Sequence, residues 1–241
     1  TQGLVDASVK TFERLKDEAE FSRLFLDNGE TLKLGATVAN PALAKTLERL
    51  AEVGLDDFYQ GEIAAQAAKE LQEAGSPLSI EDFHQHDALV TTPLTVDTSK
   101  GQLYNLGAPT QGLASLLILA IYDRLASQAN SELDHIHLLV EATKQAFIIR
   151  DKVVTDERDL TKPLQEYLDE SVVAECAERI SLTQAQPWPY QAKPGDTIWM
   201  GATDQYGTMV SFIQSVYWEF GSGVVLPSTG IMWNVRGKSF S

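Results

Sequence analysis

Two hydroxyl residues, Thr197 and Ser215, stand near the two ends of a predicted β-hairpin in the C-terminal part of the chain. An apolar strand is predicted over 198–203, a glycine-containing turn over 204–207, and a returning strand over 208–217. A threonine at the first position of such a hairpin lies at a sheet edge, where its hydroxyl can face a cleft. Most hydroxyls in that position are caps or edge residues, so the hairpin alone does not establish chemistry.

The segment before Thr197 gives its hydroxyl a specific chemistry. Residues 183–194 are rich in Gln and Pro, which predicts an exposed and extended linker. A cut between Asp196 and Thr197 would leave a nucleophilic hydroxyl and a free amine on one residue, and the amine could take the hydroxyl proton. Ser215 on the neighbouring strand could hydrogen-bond Thr197 Oγ and orient it. These features are compatible with autocatalytic cleavage, although they do not establish it.

The other candidate motifs are weak. The histidines form two pairs at a spacing of two, His84 with His86 and His135 with His137, and such pairs on a helix point to different faces. They have no cysteine partner and no HExxH spacing, so we predict neither a metal nor a cofactor. The sequence has no Walker loop, GxSxG or GxGxxG motif. Residues 107–112, at a predicted helix start, suit either an anion or carbonyl site or a plain N-cap.

The composition is that of an ordinary globular protein with an acidic surface. The chain has 241 residues, of which 44% are hydrophobic and 22% charged, and its net charge is −15. This charge argues against nucleic acid and anionic membranes as partners, because both are polyanions. The single cysteine, Cys176, is expected to pack on a helix face. No apolar run is long enough to predict a transmembrane helix.

The ends of the sequence do not resemble natural termini, since it begins with Thr and closes on Lys-Ser-Phe-Ser. We therefore expect a fragment or a processed product of a longer chain. The compartment stays open between cytoplasm and periplasm.

Helical periodicity dominates up to about residue 180, and strand patterns dominate from 197 onwards. Helices are predicted within 1–27 and over 41–53, 62–74, 80–83, 113–125, 132–150 and 171–180. Short strands are predicted over 88–90, 94–96 and 102–106 in addition to the hairpin. This order predicts a layered α+β architecture and not an alternating βαβ one.

Two helices have a predicted buried face. In the helix that begins after Asn40 and ends at Gly54, the face carries Leu43, Leu47 and Leu50. In the helix over 132–150, the predicted inward residues are Leu133, Ile136, Leu139, Val140, Thr143, Ala146 and Phe147.

Several segments, in order along nearly the whole chain, resemble the γ-glutamyltransferase family of N-terminal nucleophile hydrolases. They are LAKTLERLAEVGLDDFYQG at 43–61, GAPTQG at 107–112, HIHLLVEATKQAFIIR at 135–150, DQYG at 204–207, FGSG at 220–223 and the stretch 230–241. Each segment alone is a weak signal, whereas their combined order and spacing are specific. The block 211–231 is most similar to the subgroup of oxamate amidohydrolase and acylase-like members.

The resemblance implies a fold, a maturation step and two subunits. The fold would be the four-layer αββα N-terminal nucleophile hydrolase fold, here as a partial chain. Residues 1–196 would be the C-terminal part of a mostly helical large subunit, and residues 197–241 the start of the small subunit with the catalytic hairpin. The cleavage site would be Asp196–Thr197, and each subunit would be the other's partner. Assembly into a homodimer or a heterotetramer stays open.

The resemblance also implies roles for individual residues. The family nucleophile maps to Thr197, although this chain has Thr-Ile-Trp where the family usually has Thr-Thr-His. The second active-site hydroxyl maps to Ser215, and a further polar contact with the substrate maps to Tyr217. The two residues that hold the amino group of a glutamyl substrate map to Arg236 and Ser239. The family's carboxylate-binding arginine and oxyanion-hole glycines map outside residues 1–241.

Arg236 stands where the family has a residue that holds the amino group of a glutamyl substrate, and this difference favours another class of substrate. An arginine repels an ammonium group but suits a carboxylate, which it can bind in a forked geometry. We therefore expect hydrolysis of a small amide that carries a carboxylate, such as oxamate, through an acyl-enzyme intermediate. The alternatives are a γ-glutamyltransferase or glutathione hydrolase, and an unprocessed, inactive fragment of such an enzyme.

Overall fold

A computed structural model of the chain describes residues 1–188 and 197–240, and in it the chain forms two compact units. The first unit combines Thr1–Asp87 with Ala192–Ser241, and the second spans Ala88–Gln191. The described sheets are three antiparallel strand pairs, β1 with β2, β3 with β4, and β5 with β6. Helices and antiparallel strand pairs occur together in the described residues, which confirms the predicted α+β class.

The first unit is built from six helices and two strand pairs within its described residues. In chain order these are α1 Gln2–Leu15, α2 Ala19–Phe25, β1 Leu26–Asp27, β2 Glu30–Thr31, α3 Pro41–Val53, α4 Asp57–Gln60, α5 Glu62–Glu73, α6 Ile80–His84, β5 Ile198–Thr203 and β6 Met209–Gln214. A 3-10 turn follows over Arg236–Phe240. The predicted ends of α3 agree with the structure. At its start the side chain of Asn40 accepts the N–H of Leu43, and at its end Gly54 has a φ of 103°.

The C-terminal segment supplies part of the core of the first unit. Phe220 packs edge-on against Phe21, with ring centroids 4.9 Å apart, and both side chains are buried beside Leu15. Leu226 is fully buried in a second cluster with α5 and α6. Thr46 of α3 donates its hydroxyl to the carbonyl oxygen of Thr229 at 2.8 Å. The segment is thus held by apolar burial and by a buried hydrogen bond together.

Two glycines permit the C-terminal segment to lie close to the N-terminal helices. Gly223 has a φ of 84°, and a Cβ there would lie 2.3 Å from Cδ2 of Leu15. Gly230 has a φ of 67°, and a Cβ there would lie 2.4 Å from Oδ1 of Asn40. A side chain at either position would therefore meet both backbone strain and a steric clash.

The second unit packs around α7. Its helices and strands are β3 Leu94–Thr98, β4 Gly101–Asn105, α7 Gly112–Leu125, α8 Glu132–Val153 and α9 Glu170–Glu178, with 3-10 turns at Ala126–Gln128, Glu157–Asp159 and Leu164–Leu168. Leu113, Leu117 and Ile121 of α7 are fully buried. Cys176 of α9 lies in the same cluster, as predicted, and burial raises the pKa of its thiol.

The predicted inward face of α8 is only partly correct, because Ala146 is buried but several of the predicted apolar residues are not. Leu133, Ile136 and Val140 are about half exposed or more, with 73%, 52% and 48% of their surface accessible. The buried residues are Ala146, which was predicted, and Leu138, Glu141, Ala142 and Gln145, which were not. A prediction from apolar periodicity missed this face because two of its five residues are polar and are paired inside the protein.

Three smaller predictions also differ from the structure. Residues 88–90 form no strand, and Val90 is fully exposed, because no neighbouring segment pairs with them among the described residues. On α3, Leu47 is 57% exposed whereas Thr46 is buried, because Thr46 contacts the C-terminal segment. The second hairpin strand ends at Gln214 and not at 217.

The predicted subunit boundary and the boundaries of the two compact units have different physical meanings. A subunit boundary at 196/197 would be a cut in the covalent chain, whereas the compact units reflect packing. The packing of 220–229 against the N-terminal helices is compatible with two subunits that stay together after a cut. The division into 1–196 and 197–241 therefore stays a prediction. No helix within the described residues is long and apolar enough to span a membrane.

Truncation of Leu226 tests whether the C-terminal segment is a true core element. We expect Leu226→Ala to lower the free energy of unfolding by about 2–5 kcal/mol, because it leaves a cavity in a fully buried site. Urea denaturation followed by circular dichroism measures this change. Leu34→Ala, at a site that is 67% exposed, is the matched control. Equal effects of both variants would contradict the assigned core.

The Arg49–Asp57 ion pair predicts a specific pH dependence of stability. Arg49 donates Nε and Nη2 to the two carboxylate oxygens of Asp57 at 2.6 and 2.9 Å. These bonds, helped by the backbone N–H groups of Ile63 and Glu62, lower the pKa of Asp57 to about 2. The folded-state pKa therefore lies below that of a free Asp, at about 3.9. The ionised carboxylate stabilises the fold above pH ~4, and this contribution is lost as the pH falls towards 2.

We expect Asp57→Asn to lower the urea midpoint at pH 7, and we expect the difference from the parent protein to shrink between pH 4 and pH 2. The exposed carboxylate variant Asp87→Asn should leave the midpoint unchanged across this range. A constant difference between Asp57→Asn and the parent at every pH would contradict the assigned pKa.

Candidate functional site

The hairpin β5–β6 is the frame of the candidate site. Its register runs from Ile198 opposite Gln214 to Thr203 opposite Met209. If this register continued one position beyond its last pair, Thr197 would lie opposite Ser215. Since side chains alternate between the two faces of a strand, the two residues would then lie on the same face of the hairpin.

Asp204 closes the hairpin turn. Its carboxylate accepts the backbone N–H groups of Tyr206 and Thr208 at 2.8 and 3.0 Å. These hydrogen bonds lower the pKa of Asp204, so the turn is built around an ionised carboxylate. Gly207 takes a φ of 86°, which is the left-handed conformation that such a turn requires.

The face that Thr197 and Ser215 would share also carries Trp199 and Ser211. Trp199 donates its indole N–H to Ser211 Oγ at 2.8 Å across the strands. Its ring lies over Gly201, where an added Cβ would come within 2.7 Å of the ring. Neither residue was among the predicted site residues. Trp199 lies two residues after Thr197 and Ser211 four residues before Ser215, and this even spacing was the signal that could have placed them on one face.

Both faces of the hairpin are accessible in this chain. Every residue of β5 and β6 is exposed, and the large apolar side chains among them include Ile198, Trp199, Phe212 and Ile213. Thr197 is exposed as well. A strand pair with apolar residues on both faces has the pattern of strands that lie inside a layered structure.

The segment after β6 brings Ser215, Tyr217 and Arg236 together. Ser215 Oγ accepts the backbone N–H of Tyr217 at 2.9 Å, and its own proton remains available for donation. The guanidinium of Arg236 lies 5.3 Å from the centroid of the Tyr217 ring. Its Nη2 also donates to the carbonyl oxygen of Ser215 at 3.4 Å. Three of the predicted site residues therefore form one cluster.

An unusual backbone geometry holds this cluster. Tyr217 has a φ of 81°, a conformation that bulky side chains rarely adopt and that costs about 1–3 kcal/mol. The change of direction ends β6 at Gln214 and turns the chain towards the core residue Phe220. The N–H of Val235 donates to the carbonyl oxygen of Val216 at 3.1 Å, so the 3-10 turn that carries Arg236 is fixed to this bend.

Two predicted site residues are not defined by the structure. Asp196, on the predicted cleavage bond, lies outside the described residues. Ser239 lies in the 3-10 turn Arg236–Phe240, but its side chain is outside the described part of the chain. Their assigned roles stay predictions.

The segment 107–112 in the second unit has the geometry of a capping turn. Thr110 Oγ1 donates to the carbonyl oxygen of Gly107 at 2.8 Å and accepts the N–H of Gly112 at 3.1 Å. A Cβ at Gly112 would lie 1.8 Å from the carbonyl oxygen of Leu106, so only glycine fits at this helix start. The Thr110 hydroxyl is therefore used locally at the helix start, although the N-cap residue itself, Gln111, makes no side-chain capping hydrogen bond.

The histidines have structural contacts of their own. The Tyr122 hydroxyl and His135 Nδ1 are 2.8 Å apart, and His137 Nε2 lies 2.8 Å from the carbonyl oxygen of Ser181. His86 stacks on the ring of Tyr59. Within 1–188 and 197–240, no group of three His, Cys, Asp or Glu side chains is arranged to hold a metal ion.

Sequence comparison supports one family for the whole chain. The model of the gamma-glutamyltranspeptidase family matches residues 1–241. The chain is 44% identical to the oxamate amidohydrolase proenzyme of Klebsiella pneumoniae over 241 residues, which cover 100% of this chain and 46% of that protein. It is 33% identical to the glutathione hydrolase-like YwrD proenzyme of Bacillus subtilis over 236 residues, which cover 96% of this chain and 44% of that protein.

Structural comparison agrees with the sequence comparison. Cephalosporin acylase from Bacillus halodurans superposes with a TM-score of 0.84 at 28% identity, covering 97% of this chain and 43% of the acylase chain. The chain thus spans about half the length of the relatives that it matches. The predicted N-terminal nucleophile hydrolase fold is confirmed by this likeness, with the helical part and one hairpin present here. Because the family model covers every residue and the matched segments run in order along the chain, the chain belongs to the gamma-glutamyltranspeptidase family.

Proposed function

We propose that the protein containing this chain is an amide hydrolase that matures by cutting its own backbone between Asp196 and Thr197. The observation that carries the proposal is the hairpin register, which pairs Ile198 with Gln214 and so would set Thr197 and Ser215 opposite each other if it continued by one position. The family match and the word proenzyme in the names of two relatives support the same reading. Residues 1–196 then belong to the large subunit, and residues 197–241 begin the small one.

Maturation uses the Thr197 hydroxyl against the bond that precedes it. Attack of Oγ on the carbonyl carbon of Asp196 forms an ester and breaks the bond to the Thr197 nitrogen. Water then hydrolyses the ester, which restores the hydroxyl and leaves Asp196 with a carboxylate and Thr197 with a free amine. The exposed position of Thr197 at the start of β5 is compatible with access of both water and substrate.

In the mature enzyme, amine and hydroxyl act on the same residue. The amine accepts the hydroxyl proton while Oγ attacks a substrate amide, and the leaving amine or ammonia departs with a proton. Water hydrolyses the resulting acyl-enzyme. Ser215 is the orienting residue, because its Oγ accepts the N–H of Tyr217 and its hydroxyl can still donate to a second acceptor such as Thr197 Oγ.

The two subunits would remain associated after the cut without a covalent link. Phe220 and Leu226 of the small-subunit part are buried among the helices of the first unit. The backbone of Thr229 and Gly230 is bound by the side chains of Thr46 and Asn40. These contacts do not involve the bond that is cut, so cleavage leaves them in place.

The substrate class follows from Arg236 and its neighbours. The guanidinium lies 5.3 Å from the centroid of the Tyr217 ring and donates to the carbonyl oxygen of Ser215. A cation in this place favours a substrate carboxylate and disfavours an ammonium group. A short amide with an adjacent carboxylate, such as oxamate, fits this charge, with Tyr217 and Ser239 as further binding residues. The 44% identity to an oxamate amidohydrolase proenzyme supports this choice.

The second candidate is hydrolysis or transfer of γ-glutamyl groups. It is favoured by the family model and by the 33% identity to a glutathione hydrolase-like proenzyme. This activity requires an anionic residue that binds the ammonium group of the glutamyl substrate, whereas Arg236 is cationic. An unprocessed and inactive chain is the third candidate.

Replacement of Thr197 tests the maturation step in the full-length precursor. We expect Thr197→Ala to abolish cleavage, because no hydroxyl attacks the carbonyl of residue 196, and to remove amide hydrolysis. Intact-mass spectrometry and electrophoresis detect the two fragments. Thr197→Ser is the matched control: it keeps the hydroxyl, and we expect it to be processed, although more slowly. A Thr197→Ala precursor that is still cut before residue 197 would refute the proposed nucleophile.

A comparison of substrates tests the role of Arg236 in the processed enzyme. We expect ammonia release from oxamate to exceed p-nitroaniline release from γ-glutamyl-p-nitroanilide. Arg236→Gln should lower kcat/KM for oxamate by about 10- to 100-fold, as expected for loss of a hydrogen bond to a charged group. It should not lower the γ-glutamyl activity. Faster γ-glutamyl turnover by the unsubstituted enzyme would overturn the assignment of a carboxylate substrate.

A further inference from the structure

Arg14, in the last turn of α1, binds the backbone just beyond the bend at Tyr217. Its Nη2 donates to the carbonyl oxygen of Glu219 at 2.9 Å, and its Nη1 donates to the carbonyl oxygen of Gly221 at 3.5 Å. A guanidinium presents its N–H groups in a rigid fork, so one side chain can hold two carbonyl groups at once. The end of α1 is thereby connected to the segment that leads from the candidate site into the core.

The same guanidinium is the first member of a series of cation–aromatic contacts. It lies 5.8 Å from the centroid of the Trp218 ring. The Trp218 ring stacks with the Tyr217 ring, with centroids 6.0 Å apart and planes inclined by 26°. The guanidinium of Arg236 lies 5.3 Å from the centroid of Tyr217. These distances are within the range at which cations and aromatic rings attract one another. We call these four side chains the series: Arg14, Trp218, Tyr217 and Arg236.

The backbone of the bend needs support from its surroundings. Tyr217 has a φ of 81° and Phe220 has a φ of 58°, and side chains larger than glycine persist in such conformations only where the surrounding structure holds them. Phe220 is held by burial in the core. Trp218 is 38% exposed, so burial does not fix its ring in the same way. The contacts of Arg14 therefore lie where core packing ends and the candidate site begins.

We propose that Arg14 is a positioning residue for the substrate-binding residues Tyr217 and Arg236. By holding the backbone after the bend and the Trp218 ring, it limits the directions that the Tyr217 ring can take. The Tyr217 ring in turn limits where the Arg236 guanidinium can lie. This inference rests on the proposed function, in which Arg236 binds the carboxylate of the substrate.

The role of Arg14 is indirect, because its contacts are with Trp218 and with the backbone of the bend. After the proposed cut, Arg14 would belong to the large subunit, whereas Tyr217 and Arg236 would belong to the small one. A residue of one subunit would then set the geometry with which the other subunit binds the substrate.

Lys10 offers a matched comparison on the same helix. It lies four residues before Arg14, and such residues share one face of a helix. Its ammonium pairs with the side-chain carboxylate of Glu219, and the Lys10 side chain is 58% exposed. An exposed ion pair of this kind contributes little to stability. Replacement of either residue by Gln removes one positive charge from α1, but only Arg14→Gln removes the fork that binds the carbonyl groups of Glu219 and Gly221.

The first measurement asks whether Arg14 holds the bend. Amide hydrogen exchange of residues 216–222 is measured in the uncleaved full-length Thr197→Ala precursor, where the N–H of Gly221 donates to the carbonyl oxygen of Trp218 at 2.7 Å. We expect Arg14→Gln to speed exchange by at least about tenfold, as for loss of a hydrogen bond from a charged group. Lys10→Gln should change it by less than about threefold. Arg14→Lys keeps the charge without the fork, so its effect should lie between the two.

The second measurement asks whether the held bend matters to the substrate. In the processed enzyme we expect Arg14→Gln to raise KM for oxamate about 5- to 20-fold and to leave kcat within about twofold. Misplacement of a group that binds substrate and transition state equally changes KM alone. In an Arg236→Gln background the same substitution should raise KM by less than about threefold, because the group that it positions is gone. Lys10→Gln should leave both constants within about twofold.

Three results would overturn the proposal. Exchange that is unchanged in Arg14→Gln, or equally fast in Lys10→Gln, would mean that the fork does not hold the bend. Faster exchange with an unaltered KM would leave Arg14 a structural contact only. An equal rise of KM with and without Arg236 would show that Arg14 does not act through Arg236. If the unsubstituted enzyme released no ammonia from oxamate, the proposed substrate would be refuted instead, and the exchange measurement would still decide whether Arg14 holds the bend.

Discussion

The burial of the C-terminal segment among the N-terminal helices is the constraint on which the candidate site depends. Phe220 and Leu226 are fixed in two apolar clusters, and Thr229 is bound through its carbonyl oxygen by Thr46. With Phe220 anchored, the bend at Tyr217 is determined, since few residues separate them. The bend in turn sets the end of β6, the position of Ser215 and the docking of the turn that carries Arg236. Apolar packing around Phe220 and Leu226 thus influences the geometry around Ser215 and Arg236.

Many helix ends and turns of the structure follow from residues that are close together in the sequence. Asn40 and Gly54 delimit α3, and Ser79 forms a capping box with Asp82 at the start of α6. The hairpin turn follows from Asp204 and Gly207, whose side-chain acceptor and left-handed backbone form the reversal. These features depend on neighbours within a few residues, which is why the sequence suffices to predict them.

The features that could not be predicted depend on distant contacts. The inward face of α8 was assigned to its apolar residues, but Glu141 and Gln145 are buried because a segment some forty residues later lies against them. Residues 88–90 have the composition of a strand, but a strand forms only with a partner. The cluster of Ser215, Tyr217 and Arg236 was expected from family resemblance alone, since no local pattern brings position 236 to position 217.

The two-sided exposure of the hairpin has a consequence for handling the protein. Within the described residues β5 and β6 pair only with each other, so each presents a free backbone edge beside apolar side chains on both faces. Such edges are templates for pairing with other chains. Without covering layers, residues 198–214 would therefore act as a nucleus for self-association. Solubility of the polypeptide would then report how well these layers are assembled.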